Sequence, residues 1–149
     1  MINPIKEVRE ANALTQRAFA SLAGVTEQII IRAESGMFGS LPPSVVRAVQ
    51  VYTGESNLAI IRHYEAWVEQ ELKEVKLPNG MSDKMILSRA EFIDWKKAVC
   101  ILNGVPDTSV GFCKLFKMHP YVIEKWESGK LRSAPLQLVQ RLAHMRGII

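Results

Sequence analysis

Long apolar runs, cysteine and strand-type alternation are all scarce in this 149-residue sequence. No uninterrupted apolar stretch approaches the ~18 residues that a membrane span needs, and no charged-then-apolar segment opens the chain. Cys100 and Cys113 are its only cysteines and lie outside any CxxC spacing, which argues against a disulfide framework or a thiolate metal cage. There is no P-loop, no GxGxxG, no HExxH and no Ser/His/Asp set with supporting context, so neither an enzyme nor a cofactor nor a bound metal is expected. Low-complexity segments are missing too. Hydrophobic residues make up 48% and aromatics 7%, enough for a packed core and against a disordered chain. The length allows one ordinary domain or two very small ones. These features predict a cytoplasmic protein with no membrane association. Its formal net charge is +4, with a pI of about 9.2.

Valine and isoleucine are plentiful but recur at steps of three and four rather than two, which predicts an all-α fold. Ile5, Val8, Arg9 and Ala13 mark a first helix with Pro4 in its opening turn. Thr15 is placed to cap a second helix running to Ala23, and Gly24 can make the turn after it. Thr26 is placed to cap a third helix through Glu34, closed by Ser35-Gly36. Val45, Val46 and Val49 mark a fourth that follows Pro42-Pro43 and ends near Gly54. Ser56 then opens a long amphipathic stretch in which Leu58, Ile61, Tyr64, Val68, Leu72 and Val75 form one stripe. About 21 residues would make a rod of roughly 30 Å. Leu77-Pro78-Asn79-Gly80 ends it with turn chemistry. Beyond lies a capping-box pattern, Ser88-Arg89-Ala90-Glu91. It opens a helix with Phe92, Trp95, Val99 and Leu102 on one face, stopped by Asn103-Gly104, and a further helical run reaches Phe116. The expected domains are 1–54, a linker helix over 55–77, and 78–149. Their net charges are +1, −2 and +5, so the middle segment is unlike a nucleic-acid face.

The two basic segments repeat each other at an offset of 93. Phe19, Leu22, Ile30, Glu34-Ser35-Gly36, Ser40, Pro42 and Val46 recur as Phe112, Leu115, Ile123, Glu127-Ser128-Gly129, Ser133, Pro135 and Val139. That is nine identities over residues 19–49 and 112–142. The Glu-Ser-Gly block, with apolar spacing kept on both sides, is more than a chance alignment supplies.

Leu14-Thr15-Gln16, Phe19-Ala20, Gly24-Val25-Thr26, Ile30 and Glu34-Ser35-Gly36 resemble the lambda-repressor-like helix-turn-helix family over residues 4–53. Phe112 through Leu142, with Trp126-Glu127-Ser128-Gly129-Lys130, is a weaker second match. Two such modules joined by a long linker helix are similar to the immunity repressors of temperate phages that infect mycobacteria. The resemblance pairs Arg9 with Glu34 and finds no equivalent of Arg9 in the second module, where Lys117 also replaces the turn glycine and puts the standard helix crossing in doubt. It places DNA-binding residues on the first module at Gln16, Thr26, Glu27, Gln28, Ile31 and Arg32. Gln28 suits adenine and Arg32 guanine, whereas Gln16 at a helix start suits phosphate. Glu27 either accepts from cytosine or favours the helix dipole, and Ile31 either packs on a thymine methyl or joins the core. The matching surface of the second module holds His119, Tyr121, Glu124 and Lys125. Thr108, Ser109, Lys130 and Arg132 are placed for phosphate.

The resemblance implies a double-stranded DNA-binding transcriptional repressor of phage genes, acting by occlusion. Because the two reading surfaces differ, a monomer on an asymmetric operator is expected. Two rivals stay open. One is an antitoxin-like or other interaction protein whose acidic middle helix binds a partner. The other is a single-module DNA binder whose C-terminal part only dimerises.

Overall fold

The computed structural model describes residues 1–78 and 88–145, and the turn residues Asn79 and Gly80 lie outside them. Among the described residues the protein is all-helical, with no strand. The helices are α1 (Pro4–Ala11), α2 (Gln16–Ala23), α3 (Glu27–Glu34), α4 (Pro43–Thr53), α5 (Asn57–Lys73), α6 (Arg89–Leu102), α7 (Ser109–Phe116), α8 (Pro120–Glu127) and α9 (Leu136–Met145). They form two compact units, Met1–Gln70 and Glu71–Ile149, with the division inside α5. No helix among the described residues is long and apolar enough to cross a membrane.

In the first unit, local chemistry sets most helix ends. Asn3 caps α1 by accepting from the Ile5 and Lys6 amides, while its own amide donates to the Ala33 and Glu34 carbonyls at 3.1 and 3.2 Å. Asn3 is 3% exposed, so one side chain joins the start of α1 to the end of α3. The Ala18 amide donates to Thr15 Oγ1 at 3.0 Å, and Gly24 closes α2 with a φ of 70°. Ile5, Phe19, Ile30, Ala33, Val45 and Val49 fill the core, and α5 adds Ile60, Tyr64 and Trp67.

The second unit has a more aromatic core. Phe92 lies 4.3 Å from Trp126 and 5.5 Å from Phe112 between ring centroids, and Phe112 stacks on Phe116 at 4.5 Å. Phe116 and Trp126 stand at the repeat positions of Ala23 and Ala33. The larger rings supply volume that the first unit draws from α5.

Several expectations from spacing are corrected. Helix α1 stops at Ala11, and Ala13 takes a φ of 52° outside it. Helix α5 has 17 residues; of the expected stripe Tyr64 and Leu72 are buried and Ile61 and Val68 pack against the core, but Leu58 is 55% exposed and Ile60 and Trp67 join the buried face. Leu102 also faces out, and Cys100 takes its place in the core of α6. Thr26 and Ser88 occupy N-cap positions without side-chain capping bonds.

Gly111 is buried, and a Cβ there would stand 2.1 Å from the Pro106 carbonyl oxygen. A backbone oxygen cannot rotate aside. Gly111→Ala should therefore destabilise the second unit by about 3 kcal/mol or more. Ala18→Gly, at the matching position of α2, should cost only about 1 kcal/mol. Denaturant midpoints of the two variants check this, and an unchanged midpoint for Gly111→Ala contradicts it.

Candidate nucleic-acid interface

The repeat seen in the sequence holds in the helix boundaries. Shifting α2 and α3 by 93 residues gives the bounds of α7 and α8. The pairing continues in detail. Thr108 Oγ1 accepts from the Gly111 amide at 3.1 Å, as Thr15 does for Ala18. The Met118 amide donates to the Cys113 carbonyl and the Val25 amide to the Ala20 carbonyl, both at 3.0 Å. Gly36 and Gly129 share a positive φ, 78° and 83°.

Lys117, where the first unit has Gly24, takes the left-handed conformation with a φ of 55°. The turn is thus kept without glycine, at a cost of roughly 1–2 kcal/mol in an L-residue. Arg141, buried on α9, donates from Nη1 to the carbonyls of Phe116 and Lys117 and so satisfies the end of α7. Burial pushes the Lys117 ammonium below its usual range, opposed by Glu71 at 3.9 Å.

An ion pair braces each of these helix pairs. In the first unit Arg9 Nη2 lies 2.7 Å from Glu34 Oε1, with the side chains 14% and 7% exposed. Gln16 Nε2 donates to the other oxygen of Glu34 at 3.3 Å. The hydrogen bond to Glu34 is the main reason that the Arg9 guanidinium holds its proton more tightly than usual. In the second unit Lys96 pairs with Glu127 and donates to Ser109 Oγ at 3.2 Å. Ser109 and Glu127 are the repeat equivalents of Gln16 and Glu34. The second unit therefore holds a counterpart of Arg9, contrary to the expectation from sequence. Lys96 sits at the repeat position of Asn3 rather than of Arg9, so the pair is out of register.

The expected DNA-binding residues fall into distinct groups. On α3 and its start, Thr26, Glu27 and Gln28 are exposed, while Ile31 and Arg32 are half-buried over the sealed Ile30 and Ala33. On α8 and its start, His119, Tyr121 and Glu124 are exposed and Lys125 is half-buried. His119 Nδ1 accepts from the Tyr121 amide at 3.2 Å, which caps the helix. Lys125 Nζ lies 4.7 Å from the Tyr121 ring centroid. Lys130 and Arg132 are exposed in the loop after α8, with the Lys130 amide donating to the Lys125 carbonyl. Thr108 is exposed, whereas Gln16 and Ser109 are half-buried and bonded within their ion-pair networks.

Arg17, exposed beside Gln16 on the first turn of α2, is a further basic group at this helix start. A positive charge next to a helix start is the signal that would have found it. Both cysteines are buried and free, and burial pushes the Cys113 thiol up to about 12. Among the described residues no group of three or more His, Cys, Asp or Glu could hold a metal ion. No family model, no curated protein and no solved structure matches the chain.

Proposed function

We propose that this chain is a sequence-specific binder of double-stranded DNA that acts as a transcriptional repressor of the phage-immunity type. The reading treats α2–α3 and α7–α8 as two helix-turn-helix modules. The observation that carries it is the duplicated helix pair, with each second helix presenting polar side chains outward on its N-terminal half. That half is the part which meets base edges in the major groove, while helix starts and loops take phosphate. In the first module Gln28 and Arg32 read bases. In the second, Lys130 and Arg132 grip the backbone. Repression follows by occlusion: a protein seated on a promoter excludes polymerase.

The repressor reading is favoured over a partner-binding one by α5. Its Ile60, Tyr64 and Trp67 are covered within the first unit, which leaves the acidic helix without the broad apolar stripe that a protein partner would need.

Selection of binding sites from random duplexes, followed by titration of variants, tests the proposal. Gln28→Ala and Arg32→Ala should each cost roughly 1–3 kcal/mol on the selected site and relax preference at one or two base pairs. Lys130→Ala and Arg132→Ala should weaken all sequences alike, each flattening the log–log salt slope by about 0.9. Failure to enrich any sequence would overturn the proposal.

A further inference from the structure

We propose that α8 reads a guanine through Lys125, with Tyr121 as the positioning residue that aims it; the inference rests on the DNA-binding reading above. Lys125 and Tyr121 are four residues apart and so share one side of the helix. The Lys125 ammonium sits 4.7 Å from the centre of the Tyr121 ring, within the range where a ring face attracts a cation. Tyr121 is 56% exposed, and Lys125 is half-buried, so the ring lies at the surface and part of the lysine is covered. The first turn that carries Tyr121 is pinned by the His119 Nδ1 bond to the Tyr121 amide. A lysine usually sweeps a wide volume on four rotatable bonds. Here the ring confines it.

Confinement separates base reading from backbone attraction. An ammonium offers donors and no acceptor. Guanine alone places two acceptors, N7 and O6, side by side in the major groove, whereas adenine sets a donor beside its N7 and thymine a methyl beside its O4. A fixed donor-only group therefore selects guanine. The first module reaches a similar position differently. Its repeat equivalents are Arg32 and Gln28, where no ring is available and the planar guanidinium provides its own geometry.

The test uses the full chain and its selected duplex, with guanines replaced one at a time by 7-deazaguanine, which keeps pairing but lacks the N7 acceptor. For the parent, one guanine should show a loss of about five- to a hundredfold on replacement. Lys125→Ala should bind normal and substituted duplexes equally at that position. Tyr121→Phe, which keeps the ring, should retain the sensitivity. Tyr121→Leu should reduce it, bringing the affinities for the normal and substituted duplexes closer together at that position. The inference is overturned if Lys125→Ala weakens every sequence alike and flattens the salt slope, since Lys125 then contacts phosphate. It is equally overturned if Lys125→Ala stays as sensitive to each 7-deazaguanine as the parent. In both cases DNA binding itself survives; absence of any selected sequence would instead remove the DNA-binding reading.

Discussion

Glu127→Ala should unfold the second unit or bring it close to unfolding. The side chain of Lys96 is only 9% exposed and that of Glu127 21%. Removing the carboxylate strands a buried ammonium, with the Ser109 hydroxyl as its remaining partner on α7. Breaking a buried pair from one side costs about 3–5 kcal/mol. A domain of this size has roughly 4–11 kcal/mol in all. Removing both charges is a different matter: Lys96→Met with Glu127→Leu should recover most of the loss, because no charge is then left buried. Glu34→Ala should act in the same direction on the first unit, where it leaves Arg9 with only Glu10 and the Leu14 carbonyl and releases Gln16. Hydrogen exchange resolved by unit checks both. A Glu127→Ala chain with the parent's protection in α7 and α8 would show that the pair contributes little.

The second large effect concerns avidity. In the intact chain, replacing Lys125, Lys130 and Arg132 together by Ala should weaken binding to the full operator by about a hundred- to ten-thousandfold. The fold should be kept, since Lys130 and Arg132 are exposed and the Lys125 ammonium lies over the exposed Tyr121 ring. Tethering turns the second binding event into an intramolecular one at an effective concentration near millimolar. A loss no larger than that of Lys130→Ala alone would assign the DNA contacts to the first unit and return the second to another role.

Much of this architecture is legible in the sequence because its signals are local. Thr15 as a cap, Gly24 as a left-handed turn and the Glu-Ser-Gly block each act within a few residues, so the repeat at an offset of 93 also fixes helix boundaries. What is not legible depends on tertiary packing. The α5 stripe is right at Ile61, Tyr64 and Val68, but Leu58 faces out and Ile60 and Trp67 join the buried face. Only packing within the first unit decides how far around the helix that face extends. Lys96 escapes notice because it serves Glu127 from the position of Asn3, out of register with Arg9. The candidate site follows the same division. The outward residues of α3 and α8 follow from helical periodicity once Ile30 and Ile123 are placed inside. The engagement of Ser109 by Lys96 and the seat of Lys125 over Tyr121 arise only when side chains from separate turns or helices meet.

On the DNA-binding reading, one chain carries two unlike reading surfaces. Thr26, Glu27, Gln28 and Arg32 stand on or beside α3, and His119, Tyr121, Glu124 and Lys125 on or beside α8. Unlike helices cannot read two identical half-sites, whereas most helix-turn-helix dimers bind palindromes. The most direct measurement is the stoichiometry of the complex on the selected duplex, by sedimentation or light scattering, taken together with the symmetry of its footprint. One chain per duplex on a non-palindromic site is the predicted result. Two chains on an inverted repeat would contradict it.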